Sequence, residues 1–224
     1  MTPPTRAIVL AAGRSLQLDG VAKVLIRHPA NGRTILDHMI EAFRGKALTV
    51  VVGFRAIDVM QAYPGLDYVI NPNWALTNNA MSAGLALTEE PTYVVPGDIF
   101  FGSELIERLD LEVPDMALTR MAENRIPSSI HCVVDDAQNI QDVYQGPVRS
   151  ANHPETSGLF KISSVEALRA WKRRCVQHAN LFAGQLIPHM TVPIKAVDTG
   201  RDEICEINTP VDYLNLIAQS RGAR

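Results

Sequence analysis

The chain has 224 residues, 46% hydrophobic and 20% charged, with a formal net charge of −3; that is enough for one sizeable core and lacks the basic excess of a nucleic-acid-binding surface. Its three cysteines, Cys132, Cys175 and Cys205, are scattered with no CxxC pair, which argues against a disulfide framework or zinc site and for a reducing cytoplasm. No apolar run approaches the ~20 residues that span a bilayer, and the opening MTPPTR lacks a signal peptide's apolar core, so neither a membrane nor a nucleic acid is an expected partner.

No repeat, low-complexity tract or linker interrupts the sequence, and one domain over 1–224 is the expectation. Short apolar runs alternate with helical patterns. AIVL (7–10), LTVVVG (48–53), YVI (68–70), TYVVP (92–96) and MAL (116–118) read as buried strands, β-branched and without polar alternation. Between the first two, TILDHMIEAFRG predicts a helix. Thr34 is its N-cap, Asp37 follows three residues on, and Ile35, Leu36, Met39, Ile40 and Phe43 share one face before Gly45. Residues 55–62 and 79–88 read as shorter helices. This alternation predicts an α/β fold of three layers, α/β/α, with a mostly parallel central sheet.

After residue 120 the pattern becomes less regular. SSIHCVVDDAQNIQDVYQG reads as two strands around DDAQN. Residues 163–187 read as helical, with Leu168 and Trp171 on the apolar side. EICEI (203–207) reads as a last strand returning to the sheet. NTPVDYLNLIAQS then starts a helix with Thr209 as N-cap and Pro210 at its first position.

In such sheets ligands sit outside the carboxyl ends of the strands, so the residues just after each strand are informative. After the first strand, Ala11, Ala12 and Gly13 let backbone N–H groups approach a phosphate, and Arg14 and Lys23 can add positive charge. The loop is neither a Walker A nor a GxGxxG motif, and the same residues also suit a plain turn. After the third strand, NPNWALTNNAMSAGLAL crowds Asn71, Asn73, Thr77, Asn78, Asn79 and Ser82 together. Amides suit the edge of a nucleobase, though asparagine also favours turns. After the fourth, Asp98 sits among apolar residues in VVPGDIFF. It either pairs with a divalent cation such as Mg²⁺ or caps a helix starting near Ser103. After the last, Glu206 and Asn208 stand two apart and point to one side, unless Asn208 only joins the cap at Thr209. Together these strand ends describe a site for a nucleoside triphosphate with Mg²⁺.

The stretches LAAGRSLQLDGVAKVLI, VVGF, NPNWALTNNAMSAGLAL, VVPGDIFF, SGLFKIS and EICEINTPVDYLNLI run in order over nearly the whole chain. On them the chain resembles the nucleotidyltransferases of the GT-A-like fold, most of all the bacterial choline-phosphate and 2-aminoethylphosphonate cytidylyltransferases. The resemblance implies a nucleotide loop of Leu10, Ala11, Ala12, Gly13 and Arg14, with Lys23 on the phosphates. It places Asn78, Asn79 and Ser82 near base and sugar, and gives Asp98 to Mg²⁺ with Asn208 or Glu206. Lys23, Arg14 and Asp98 would carry catalysis. It further implies a nucleotide-binding half (1–120) and a half holding acceptor and metal ligands (121–224).

The implied reaction joins CMP from CTP to a small phosphorylated or phosphonylated acceptor and releases pyrophosphate. A homodimer is left open as the assembly. For a quaternary ammonium headgroup the aromatic candidates are Trp74, Tyr93, Tyr144 and Phe160; for a primary ammonium, Asp135 or Asp136. The chain departs from the pattern where Gln17 replaces a second loop arginine, Ala22 a proline, and Asn208 the aspartate of Glu-x-Asp. Two other readings stay open. One is a sugar-phosphate or molybdopterin nucleotidyltransferase using UTP, GTP or dTTP. The other, raised by Gln17, is a nucleotide-binding regulatory protein with weakened turnover.

Overall fold

A computed structural model describes residues 3–121, 127–200 and 204–222. Strands β1 (Arg6–Ala11), β2 (Ala47–Val52), β3 (Asp67–Ile70) and β4 (Thr92–Pro96) lie parallel in the order β4-β1-β2-β3, with Leu10 in register with both Val51 and Pro96. These are the apolar runs read from the sequence. A short strand β5 (Ile99–Phe100) follows, then β6 (Met116–Arg120) and the hairpin of β7 (Ile130–Val134) and β8 (Ile140–Gln145). Strand β9 (Glu155–Ile162) enters the sheet antiparallel between β4 and β6, and β10 (Lys195–Asp198) extends it parallel to β6.

Helices cover both faces. On one, α1 (Ile35–Ala42) and α4 (Ser103–Leu111) bring Leu36, Met39, Leu105 and Leu109 against Val9, Val50, Val95 and Leu118. On the other, α3 (Asn79–Ala86) and α5 (Val165–Gln177) bring Ala80, Ala83, Leu168 and Trp171 against Ile8, Val51, Val94 and Phe160. Among the described residues two further helices are α2 (Ala56–Ala62) and α6 (Pro210–Gly222). This is the three-layer α/β arrangement expected of the strand–helix alternation.

Two boundaries differ from the sequence expectation. The helix expected over 163–187 ends at Gln177, where the N–H of His178 closes on the Arg174 carbonyl. Val176 already points to solvent, and the chain turns so that Leu186 and Ile187 can be buried instead, through a 3-10 turn at Ala183–Leu186. The expected last strand is only Cys205–Glu206 (β11). It pairs antiparallel with β5, outside the main sheet; Glu203 lies outside the described residues. The strands that return to the main sheet are β9 and β10. The glycine within β9, Gly158, has φ +82°, and a Cβ there would lie 3.0 Å from Pro96 Cγ; it breaks the apolar run that would have announced the strand.

The start of α1 follows the sequence closely. Thr34 Oγ1 accepts from the Asp37 N–H (3.0 Å), Asp37 Oδ2 accepts from the Thr34 N–H (2.8 Å), and the Tyr63 hydroxyl donates to Asp37 Oδ1 (2.9 Å). Partial burial works to raise the Asp37 carboxyl, but these bonds and the Arg33 charge outweigh it and hold it below the usual value. A carboxylate depressed in the folded state adds stability above its unfolded pKa, and that stability is lost as pH falls through the folded value. Asp37→Ala is therefore expected to cost about 1 kcal/mol at neutral pH, the usual worth of a cap. The gap should close below about pH 4. Urea unfolding of both proteins at pH 7 and pH 3 measures it; a gap of equal size at both would refute the carboxylate's part.

Candidate active site

The carboxyl ends of β1, β2 and β4 meet at one edge of the sheet. The Ala12 carbonyl accepts from the Phe54 N–H (2.9 Å) and the Leu10 carbonyl from the Gly97 N–H (3.0 Å). Gly53 lets this edge close: a Cβ there would lie 2.6 Å from Trp74 Cβ and 2.8 Å from the Ala12 carbonyl oxygen. The loop beyond Gly13 folds on itself, with the Gly20 N–H on the Ser15 carbonyl (2.9 Å) and Asp19 and Gly20 at positive φ. Gly13, Arg14 and Gln17 are exposed on it, and the Arg14 guanidinium lies 5.6 Å from the centre of the Phe54 ring. A 3-10 turn, Lys23–Leu25, then directs Lys23 back to the strand ends.

Lys23 Nζ donates to Asp98 Oδ2 (2.9 Å) and to Asn208 Oδ1 (2.6 Å). Asn208 Nδ2 donates in turn to Glu206 Oε1 (2.6 Å), and Glu206 Oε2 lies 3.5 Å from an Arg120 guanidinium nitrogen. Arg120 Nε donates to the buried Glu155 (2.7 Å). The β5–β11 ribbon assembles this cluster: Glu206 is in register with Ile99, and the Ile207 N–H bonds the Asp98 carbonyl (2.8 Å). Four of the residues singled out in the sequence, Lys23, Asp98, Glu206 and Asn208, thus meet although they come from three separate stretches of the chain.

Asp98 does not cap α4, whose N-cap is Gly102. Asn208 serves twice: its N–H joins the cap of α6 through Asp212 (2.9 Å), while its side chain faces Lys23. Burial raises the Glu206 carboxyl, and the neighbouring Asp98 charge raises it further. Asp98 Oδ1 is buried with no hydrogen-bond partner among the described residues. A buried carboxylate oxygen left open in this way suits a cation. Two carboxylates and an amide oxygen are hard donors of the kind Mg²⁺ accepts, and Mg²⁺ typically takes only one or two carboxylates and completes its shell with water and phosphate. Among the described residues no group of three or more His, Cys, Asp or Glu could hold a metal ion.

The asparagine-rich stretch forms a separate network. Asn71 is buried and donates to Ser82 Oγ (3.1 Å) and Thr77 Oγ1 (3.2 Å). Asn78 is the N-cap of α3, its Oδ1 accepting from the Asn79 N–H (2.8 Å), and Asn79 Oδ1 accepts from the Ala183 N–H (2.7 Å). No hydrogen bond among the described residues joins Asn78, Asn79 or Ser82 to the Lys23 cluster. Of the aromatic candidates, Tyr93 and Phe160 are core residues, and the Tyr93 hydroxyl is spent on Asp110 (2.7 Å). Asp135 is taken up by its own hairpin turn, accepting from the Asn139 N–H (2.8 Å) and Gln141 (2.8 Å). Sequence reasoning missed Arg120 and Glu155. Arg120 was within reach of the strand-end rule, since it closes the buried run MALT.

The family described as the MobA-like NTP transferase domain matches residues 7–174. No curated protein matches the chain. Among solved structures, the CTP:phosphocholine cytidylyltransferase of Streptococcus pneumoniae superposes with a TM-score of 0.74 at 17% identity, over 96% of this chain and 99% of that one. The inositol-1-phosphate CTP transferase of T. maritima gives 0.69 at 17% identity, over 99% and 98%. The nucleoside-diphosphate-sugar pyrophosphorylase of Vibrio cholerae gives 0.72 at 12% identity, over 95% and 100%. At these identities the likeness is one of fold.

Proposed function

The chain belongs to the MobA-like NTP transferase family and is a nucleotidyltransferase, and we propose that it moves a nucleoside monophosphate, CMP by preference, onto the phosphate or phosphonate oxygen of a small acceptor. The observation that carries this reading is the constellation of Lys23, Asp98, Asn208 and Glu206 beside the small-residue loop, with one Asp98 oxygen buried and unpaired. The preference for CTP rests on the sequence resemblance to cytidylyltransferases, and two of the fold relatives carry CTP in their names.

An acceptor phosphate is ionised near neutral pH, so its oxygen can attack the α-phosphorus without a general base. The new P–O bond forms as the bond to pyrophosphate breaks, and the electron pair leaves with pyrophosphate. The protein's work is then positioning and charge neutralisation. Lys23, at the centre of the cluster, would exchange its carboxylate and amide partners for phosphate oxygens. Arg14 is exposed on the loop and free to swing from the Phe54 ring onto the triphosphate. Asp98, with Asn208 and Glu206, would hold Mg²⁺, which when bound offsets negative charge on the triphosphate.

A thermal-shift series with CTP, UTP, GTP, ATP and dTTP, each with and without Mg²⁺, tests the reading. A ligand at about 100 times its Kd adds roughly 2.7 kcal/mol. For a domain of this size that is a rise in Tm of about 5–10 °C. The expected result is a Mg²⁺-dependent rise, largest with CTP. No rise with any nucleotide refutes the reading; a larger rise with another nucleotide refutes the base assignment. A rise without pyrophosphate release from any acceptor would favour the regulatory reading that Gln17 raises.

A further inference from the structure

The pattern Thr-x-x-Asp stands at the start of two helices, TILD (34–37) at α1 and TPVD (209–212) at α6. In both, the threonine hydroxyl accepts from the aspartate N–H (3.0 and 3.3 Å), and the aspartate Oδ2 accepts from the threonine N–H (2.8 and 2.7 Å). This reciprocal pair is a complete helix cap. The two carboxylates differ in what else they hold. At α1 the residue before the cap, Arg33, gives its N–H to Asn31 Oδ1 (2.9 Å), and Asp37 takes the Tyr63 hydroxyl instead. At α6 the same Asp212 oxygen reaches one residue further back. It accepts the Asn208 N–H (2.9 Å) as well as the Thr209 hydroxyl (3.0 Å). Asn208 precedes the cap residue, so the helix does not need this bond. The extra bond falls on a member of the Lys23 cluster.

Asn208 is where the chain leaves the β5–β11 ribbon for α6. On one side Ile207 is fully buried, and its N–H is fixed to the Asp98 carbonyl (2.8 Å). On the other, Asp212 holds the N–H groups of Asn208 and Thr209. The backbone between these anchors aims the side chain: Oδ1 accepts from Lys23 (2.6 Å) and Nδ2 donates to Glu206 (2.6 Å). Hydrogen bonds to a carboxylate are about twice as strong as neutral ones, so Asp212 is a firm anchor. It is not what keeps α6 on the protein. Leu216 of that helix is buried in the core, and the Tyr213 hydroxyl donates to the Arg27 carbonyl (2.8 Å).

We propose that Asp212 is a positioning residue of the active site: by fixing the Asn208 backbone it keeps the Asn208 amide oxygen turned towards Lys23, and towards Mg²⁺ when the ion is bound. The proposal rests on Asn208 holding Mg²⁺ in nucleotidyl transfer. Mg²⁺ accepts oxygens in a near-octahedral shell at about 2.0–2.1 Å, so a ligand oxygen has little latitude. Without the Asp212 carboxylate, the N–H groups of Asn208 and Thr209 turn to water, and the Asn208 side chain spends part of its time elsewhere. The apparent affinity for the ion then falls with the fraction of molecules that have the oxygen in place. Groups that orient a metal ligand typically carry about 10–100-fold in metal affinity.

The second cap supplies the control. Wild type, Asp212→Ala, Asp212→Asn and Asp37→Ala are melted with and without CTP, or whichever nucleotide gives wild type its largest rise, across a Mg²⁺ titration. The readout is the Mg²⁺ concentration at half of the nucleotide-dependent rise in Tm, which needs neither acceptor nor turnover. Without ligand, Asp212→Ala and Asp37→Ala should both melt about 2–4 °C below wild type, the usual worth of a cap in a domain of this size. Only Asp212→Ala should move the Mg²⁺ midpoint, upwards by about tenfold or more. Asp212→Asn keeps an oxygen that accepts the same N–H groups, and should hold its midpoint near wild type. An unmoved midpoint in Asp212→Ala, or an equal rise in Asp37→Ala, overturns the proposal. So does a midpoint in Asp212→Asn as high as in Asp212→Ala, which would assign the effect to charge, and so does an Asp212→Ala chain that fails to fold, which would make Asp212 a structural residue. A wild type with no Mg²⁺-dependent rise refutes nucleotidyl transfer itself and takes this proposal with it, whereas a normal wild-type response beside an unmoved Asp212→Ala refutes this proposal alone.

Discussion

Asp98→Asn is expected to lower kcat by about 10²–10³, several kcal/mol of lost charge stabilisation at about 1.4 kcal/mol per tenfold. Asparagine has nearly the shape of aspartate and can still accept from Lys23, so the packing between β4 and β5 survives. What goes is the negative charge, and with it the oxygen that is buried and unpaired. Folding should not suffer. Asp98 and Glu206 are neighbouring carboxylates, and the Asp98 charge is one reason the Glu206 carboxyl is raised. Removing one member relieves that repulsion and offsets the lost pairing with Lys23 at 2.9 Å. A fall in turnover with Tm held within about 2–4 °C, roughly the equivalent of 1 kcal/mol here, is therefore the signature of a catalytic position. The measurement is pyrophosphate release across a Mg²⁺ titration, with a melt of the same sample. A kcat within tenfold of wild type would remove Asp98 from the site.

Much of this site was legible before any coordinates, for a physical reason. In a parallel sheet covered on both faces, strands are plain apolar runs and the residues after them face the ligand edge. That rule singles out Ala11 to Arg14 and Asp98; it reaches Glu206 and Asn208 only by placing them after a last strand of the main sheet, whereas they lie on and just after β11, outside it. The cap at Thr34 and Asp37 is equally local and reads directly. Contacts made by short or polar elements were less accessible. The β5–β11 ribbon, which brings Glu206 to Asp98, has two residues on each side, too few to show a period. Arg120 and Glu155 meet only because β9 runs antiparallel into a sheet that begins parallel, and Gly158 hides that strand. Asn78, Asn79 and Ser82 show the converse: a polar cluster conspicuous in the sequence spends its bonds on a helix cap, the Ala183 turn and Asn71.

Trp171→Ala is expected to cost about 3–5 kcal/mol, the usual range for deleting a buried tryptophan. In a domain of this size that is a fall in Tm of about 6–20 °C. The indole is fully buried, packs edge-on against Phe160 with ring centres 5.4 Å apart, and donates from Nε1 to the Ala183 carbonyl (3.0 Å). The same Ala183 gives its N–H to Asn79, so one side chain fastens α5 to the turn and, through it, to the start of α3. Trp171→Phe separates the two contributions. It keeps most of the volume and leaves the Ala183 carbonyl unpaired, so about 1–3 kcal/mol should be lost. Neither variant touches the Lys23 cluster, because Trp171 lies in the core on the far side of the sheet from the α1–α4 layer. Well below its melting point, Trp171→Phe should therefore retain the wild-type response to nucleotide and Mg²⁺, the reverse of Asp98→Asn. A Trp171→Phe protein that melts normally yet no longer responds to nucleotide would show that the Ala183 turn and the cap of α3 belong to the nucleotide site, and would restore Asn78 and Asn79 to a direct part in binding.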